Sequence, residues 1–289
     1  MLTVVFDGLA YGMLLFLMAV GLSITMGLMR FINLSHGVLA MVGAYCTLSL
    51  AVGPLGFIGA LFLATLVSGA VGWLLEKILY RHFYTKPALD QVLVSLGVVF
   101  MAVAAFSYFY GSGMYSLSLP SWLQGQLHLY GVDIGVYRLF LLIVGSGVFI
   151  VLQLAFKYSR FGARVRAAVD HPVMTQALGV AVPTLFSLSF ALGSALAGFG
   201  GALSLGMISV EPTFALQYLV FFLLVVCVGG AGTLSGPFVA ALVIGLIDML
   251  SKYYWPTLGA FTIYLVMIGL LVWRPQGVVR LSQKWTSQE

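Results

Sequence analysis

Residues Gly8 to Met29 read GLAYGMLLFLMAVGLSITMGLM, a run without one acidic or basic side chain. A helix rising about 1.5 Å per residue needs about 20 apolar residues to cross a hydrocarbon core of about 30 Å, and this run is long enough. The apolar core of a secretory signal is only roughly 7–15 residues long and follows basic residues, whereas the first basic residue here is Arg30. The run therefore reads as a retained membrane helix.

The rest of the chain has the same character. Of 289 residues, 62% are hydrophobic and 7% charged, with a mean hydropathy of +1.10. A soluble domain carries about 25% charged residues, so this chain has too little polar surface to cover a water-facing globule. The same arithmetic excludes a disordered chain, a disulfide scaffold and, despite a pI near 9.2, a nucleic-acid binder. The 34 glycines point to close helix packing, because small residues let membrane helices approach. Cys46 and Cys227 both lie in apolar runs, where a thiol behaves as a small hydrophobe.

Further candidate spans are Gly37 to Val52, Phe57 to Leu79, Gln91 to Tyr110, Tyr137 to Phe156, Pro183 to Met207, Leu216 to Val228, Pro237 to Leu250 and Leu258 to Trp273. They are continuously apolar rather than alternating, which excludes a strand barrel. The expected fold is all-α: a polytopic transmembrane helical bundle of about 8–9 spans, residues 1–289 forming one membrane domain. The count turns on residues 229–237, Gly-Gly-Ala-Gly-Thr-Leu-Ser-Gly-Pro. This stretch is either a cytoplasmic turn between two short spans or a break within the bilayer, where irregular backbone needs protein or a water-filled cavity to satisfy it.

The basic residues orient the bundle. With the N-terminus outside and each span crossing once, Arg30, Lys77, Arg81, Lys86, Lys157, Arg160, Arg164, Arg166, Arg274, Arg280 and Lys284 fall inside, and only Arg138 and Lys252 outside. The positive-inside rule then puts the C-terminus in the cytoplasm. Tyr108 to Tyr110, Tyr253 to Trp255 and Trp273 read as interfacial aromatic belts.

The sequence contains no phosphate loop of the G-x-x-x-x-G-K-[ST] type, no H-E-x-x-H, no C-x-x-C and no G-x-S-x-G. No catalytic group, metal site or bound cofactor is expected. Asp248 and Glu76 lie near span ends, leaving little material for a proton relay. Such a chain is a passive pore or a subunit driven by a partner. The longest cytoplasmic segment, residues 157–183, favours the second. Alanines and straight-chain residues predict a helix up to Asp170, Pro172 the first turn of a second helix, Gly179 its stop, and Pro183 the opening of the next span. Two short amphipathic helices there make a lever, although Arg160, Arg164 and Arg166 taken alone suit an ordinary basic loop that fixes topology.

The run from Arg166-Ala167-Ala168 to Leu178-Gly179-Val180 resembles the cytoplasmic coupling loop of the branched-chain amino acid permease family (the LivH type). Residues 27–37, Gly-Leu-Met-Arg-Phe-Ile-Asn-Leu-Ser-His-Gly, residues 229–237 and the terminal Trp273-Arg274-Pro275-Gln276-Gly277 fit the same family in order. The Glu-Ala-Ala motif of many importers is not kept: Arg166 stands where its Glu would be, and Gly179 lies further downstream.

The resemblance implies a permease subunit of an ATP-binding cassette importer in the cell inner membrane, with branched-chain amino acids or a related small solute as cargo. Its implied partners are two cytoplasmic ATPase subunits that use ATP, a second permease (a sibling or a copy) and a soluble binding protein outside. No nucleic acid is involved. Arg160, Arg164, Arg166, Asp170, His171, Pro172 and Gly179 become candidates for ATPase coupling. Asn33, Ser35, His36, Gly229, Gly230 and Gly232 become candidates for the translocation path. Capping of the second helix is the stronger reading for Asn33 and Ser35, and His36 stays open. The external loop 111–136, with Tyr115, Trp122 and Tyr130, suits either a docking protein or a membrane-resting segment, and Glu211 reads as a solvated loop acid. The rival class is a secondary transporter or channel acting alone on a solute such as urea or an amide.

Overall fold

A helix that is apolar on every side has no face to give to water and belongs in the middle of a bundle. That is the position of α1 (Leu2–Met29), whose residues from Leu14 to Val20 are all fully buried. The computed structural model describes residues 1–273, apart from 30, 52, 55, 130, 131, 231 and 258. Around α1 stand α2 (His36–Leu50), α3 (Gly56–Ile78), α4 (Ala88–Tyr110), α5 (Val136–Tyr158), α8 (Val182–Ser204), α10 (Leu219–Gly229), α11 (Ser235–Tyr254) and α12 (Gly259–Trp273). The short α6 (Arg160–Asp170) and α7 (Pro172–Ala177) link α5 to α8, and the single turn α9 (Phe214–Gln217) precedes α10.

These helices match the expected spans to within a few residues. Six of them, α1, α3, α4, α5, α8 and α11, are long and apolar enough to cross a membrane, and α2 and the α9–α10 pair are shorter apolar helices. Outward-facing side chains on α3, α4 and α5, including Phe62 (66% exposed), Met101 (65%) and Ile143 (64%), are apolar, as a lipid solvent requires and water does not. The chain is a polytopic helical membrane protein.

The expectation of an all-α chain needs one correction. Residues Gln126–Leu129 (β1) and Val132–Gly135 (β2) pair antiparallel inside the 111–136 loop. Apolar and polar residues alternate in both segments, the period of two that suits a half-covered strand. His128 and Asp133 face each other across the pair and form an ion pair. The loop is fastened further by Tyr115 and Val210, which exchange backbone hydrogen bonds of 2.8 Å in each direction.

Helix α8 organises the bundle through its small residues. A Cβ added to Gly21 of α1 would lie 2.2 Å from the Gly193 carbonyl oxygen, and one added to Gly43 of α2 would lie 2.0 Å from that of Gly198. On α3, a Cβ at Gly72 would meet Ser194 Oγ at 1.9 Å. Backbone thus touches backbone on two sides of one helix, and a third helix seats against a serine. On the other side of α1, Gly8 and Gly12 lie against Gly245 and Ala241 of the antiparallel α11. Helix α5 runs parallel to α1, with Arg138 Nε 2.7 Å from Asp7 Oδ1 near one end and the Phe149 ring edge-on to Phe16, centroids 5.8 Å apart, further along.

Gly43→Val is expected to destabilise the purified protein by about 1–3 kcal/mol or more, because backbone sits where the side chain must go. Gly147→Ala, in open space on α5, is expected to be neutral or to raise the melting temperature. Thermal unfolding in detergent compares the two.

Candidate functional site

The link between α1 and α2 runs back into the bundle. His36 Nε2 is 3.0 Å from the Met18 carbonyl oxygen, yet α1 continues to Met29, about 16 Å further along its axis at about 1.5 Å per residue. Residues 31–35 therefore return alongside α1 without helical hydrogen bonds, and α2 starts near the depth of Met18. Phe31 is fully buried against Tyr80 and Tyr84, with ring centroids 5.1 and 5.6 Å away.

Non-helical backbone in an apolar interior must find side-chain partners. Gln91 supplies one: its Oε1 accepts from the Ile32 N–H at 3.1 Å, while its Nε2 donates to the Phe83 and Lys86 carbonyls at 3.2 and 3.1 Å. Asn33 Oδ1 accepts from the Ser35 N–H at 3.1 Å and from the Ser35 hydroxyl at 2.6 Å, and that hydroxyl also meets Tyr80 OH. The carbonyl of Met18 can only accept, so His36 carries a proton on Nε2. Asn33, Ser35 and His36 are thus brought together, each 1% exposed. Ser35 occupies the cap position of α2, but its hydroxyl makes no cap bond; the Asn33 carboxamide supports the turn instead. The amide nitrogen of Asn33 has no partner among the described residues.

Tyr80 and Gln91 are the members of this knot that sequence reasoning missed. Gln91 was legible as an amide at the threshold of an apolar run. Arg30, the neighbouring motif residue, lies outside the described residues, as do Tyr130, Ala231, Arg274, Pro275, Gln276, Gly277, Arg280 and Lys284.

Gly229, Gly230 and Gly232 lie elsewhere. Helix α10 runs parallel to α1 and α11 antiparallel to it, so the chain reverses at this glycine stretch. Gly230 and Gly232 take φ values of +86° and +84°, which an L side chain rarely adopts. A Cβ on Gly236 would lie 1.8 Å from the Gly229 carbonyl oxygen, so the two arms meet at backbone distance. Ser23 of α1 closes the turn: its hydroxyl donates to the Thr233 carbonyl at 3.0 Å, and its own carbonyl accepts from the Gly232 N–H at 3.0 Å. The Thr233 hydroxyl reaches back to the Gly229 and Gly230 carbonyls at 3.4 and 3.3 Å.

The 157–183 segment folds as the punctuation predicts. Ser159 caps α6 by accepting from the Gly162 N–H at 3.0 Å, and Gly162, Val165 and Ala168 form the buried face. Pro172 opens α7. Gly179, at φ +85°, ends it: its N–H donates to the Gln176 carbonyl at 3.0 Å, and that of Val180 to the Thr175 carbonyl at 3.3 Å. This paired closure is the Schellman arrangement. The Thr175 hydroxyl ties the two helices by donating to the Ala167 carbonyl at 2.8 Å. Arg160, Arg164, Arg166, Asp170, His171 and Pro172 are all exposed, and Arg166 donates to the Phe156 carbonyl. Val173, Met174 and Leu178 are 81%, 71% and 85% exposed on the same unit. Glu76 and Asp248 are both buried and partnered, Glu76 by Tyr84 and Ser187 and Asp248 by Lys252. Glu211 accepts from Thr213 and Gln217.

A multi-pass bundle with a buried polar knot and an exposed, internally braced helical lever is the architecture of a transport permease. The chain belongs to the family described as branched-chain amino acid transport system / permease component, whose model matches residues 4–271. It is 25% identical over 292 residues to the high-affinity branched-chain amino acid transport system permease protein LivH of Salmonella typhimurium, covering 95% of this chain and 94% of the relative. The LivH of Escherichia coli K12 is 24% identical over the same span. The BraD permease of Pseudomonas aeruginosa is 25% identical over 289 residues, with 94% of each chain covered. No solved structure matches the chain. The family is one of non-catalytic transport components.

Gln91→Leu leaves the Ile32 N–H and the Lys86 carbonyl without the Gln91 side chain, while the Phe83 carbonyl keeps the Lys86 N–H at 3.1 Å; the cost expected is about 1–3 kcal/mol for each group left unsatisfied. A lowered melting temperature in detergent, absent from Asp90→Asn on the same turn, checks it.

Proposed function

We propose that this chain is the membrane-spanning subunit of an ATP-binding cassette importer that carries branched-chain amino acids, or a closely related small solute, across the cell inner membrane. Residues 1–289 then form one permease domain, with the N-terminus outside, the C-terminus in the cytoplasm and nine segments crossing in turn. Two cytoplasmic ATPase subunits use the ATP, a second permease subunit completes the core, and an extracytoplasmic binding protein delivers cargo.

The observation that carries this reading is the α6–α7 lever. Its inner face is packed and its connections are capped, so it moves as a unit. Its outer face presents Val173, Met174 and Leu178 beside Arg164 and Arg166, an apolar centre with a charged rim of the kind that buries against another protein. ATP binding closes the ATPase pair, the lever follows, and the bundle alternates between outward and inward access. The branched-chain cargo is supported by the transport systems to which the relatives belong and by chemistry, since an aliphatic side chain asks only for an apolar slot. Of the path candidates, Asn33 keeps unspent donors that could meet a cargo carboxylate or a water when the bundle opens.

Reconstituted with its ATPase and binding protein, the chain is expected to take up leucine, isoleucine or valine only when ATP is present. Flux driven by an ion gradient through the chain alone overturns the reading in favour of a stand-alone carrier. The double substitution Met174→Asp, Leu178→Asp is expected to cut uptake at least about tenfold, a loss of about 1.4 kcal/mol, and to release the ATPase on co-purification. Its elution from size exclusion is expected to stay unchanged, because both side chains are exposed.

A further inference from the structure

Helix α8 is covered by α1, α2 and α3, but along its first two-thirds a trough stays open between α3 and the α5–α6 corner. Its deep part is a cavity of about 320 Å³ with an apolar lining that includes Leu152, Leu192 and Phe199. Phe161 joins it to a second cavity of about 510 Å³ that passes Arg164 and Thr184. Thr184 and Leu188 are shared in turn with a third, of about 240 Å³, bounded by Lys77 and Arg81. The trough is therefore apolar at one end and basic at the other.

Its length and charge identify an occupant. From Thr184 to Phe199 the helix rises about 22 Å at about 1.5 Å per residue, close to half of a bilayer of about 40–45 Å with its headgroup zones. None of Arg164, Lys77 and Arg81 takes part in an ion pair among the described residues. The neighbouring acid, Glu76, is buried with its oxygens taken by Tyr84 and Ser187. The mouth also lies at the start of α8, whose first-turn N–H groups add partial positive charge. Basic pockets between membrane helices suit anionic lipid headgroups.

We propose that the trough is a binding site for one anionic phospholipid, an acyl chain lying along α8 and the phosphate at the mouth formed by Arg164, Lys77 and Arg81. This goes beyond transport and does not depend on the identity of the cargo.

Native mass spectrometry of the full chain in neutral detergent tests it, with phosphatidylglycerol and phosphatidylcholine of the same acyl chains as probes. Phosphatidylglycerol is expected to be retained roughly 25-fold more strongly, at roughly fivefold for each of Lys77 and Arg81, and Lys77→Gln with Arg81→Gln to remove most of that preference. Leu192→Trp, which fills the deep end, is expected to weaken both lipids without changing the headgroup preference. Equal retention of the two lipids by the unaltered chain overturns the proposal, as does a preference that survives loss of both cations. A Leu192→Trp variant that turns a dimer into a monomer while lipid retention stays constant also overturns it, and assigns the trough to a second permease subunit.

Discussion

Helix α8 approaches α1 and α2 at backbone distance because Gly193, Gly198, Gly200 and Gly201 project nothing beyond Cα. In lipid, apolar side chains gain little by leaving one hydrocarbon environment for another, so helix association depends on van der Waals fit and on hydrogen bonds. Close approach supplies both. It places Ser68 Oγ 2.7 Å from the Leu39 carbonyl of α2 and 3.0 Å from the Ser194 carbonyl of α8, so one hydroxyl bridges three helices. A bulkier side chain at these crossings moves α1 and α2 apart, and with them the return segment between them.

That segment is the second consequence of the packing. Non-helical backbone is costly in an apolar interior, and beside the local Asn33 carboxamide the groups that relieve the cost come from distant parts of the chain: the Gln91 side chain at the start of α4, the Tyr80 hydroxyl in the turn after α3, and the backbone carbonyl of Met18 in the middle of α1. The half-length helix α2 exists because these groups fix where it begins. Its far end is held by a different device, an aromatic cluster in which Tyr45 stacks on Phe106 at 4.6 Å and meets Tyr110 at 4.5 Å.

Helix positions were legible in the sequence because each span is a continuous apolar run, and the lever was legible because Pro172, Gly179 and Pro183 act locally. The hairpin at β1 and β2 escaped because four-residue strands in a loop leave only a faint alternation. The site was legible in part. Asn33, Ser35 and His36 stood out as polar residues beside a span, but Tyr80, which meets Ser35, and Gln91, which meets the Ile32 N–H, lie 45 and 59 positions away from those partners, and only the tertiary fold brings them together. At 229–237 the glycines announced a special backbone without saying which kind. The arm directions, set by packing against α1, make it a reversal, fastened to α1 through Ser23.

The lever also has an inward connection. Val165 and Val169 of α6 line a small cavity of about 40 Å³ with Gly27 and Leu28 of α1 and with residues 232–234 of the glycine turn. Helix α6, α1 and the α10–α11 turn therefore border one space, and α1 holds the start of α2 through the Met18 carbonyl. Contact of this kind transmits a displacement only if the packed elements have two stable arrangements. The glycine-lined crossings of α8 with α1 and α2 leave no slack, since any added atom already collides there. Open space lies between α8 and α5, along the trough, and at Gly145 α5 packs close on α1, its missing Cβ lying 2.8 Å from Met13 Sδ. The geometry thus sets a closely packed block of α1, α2, α3 and α8 beside α5 and its α6–α7 pair, with the open trough running along the seam between them.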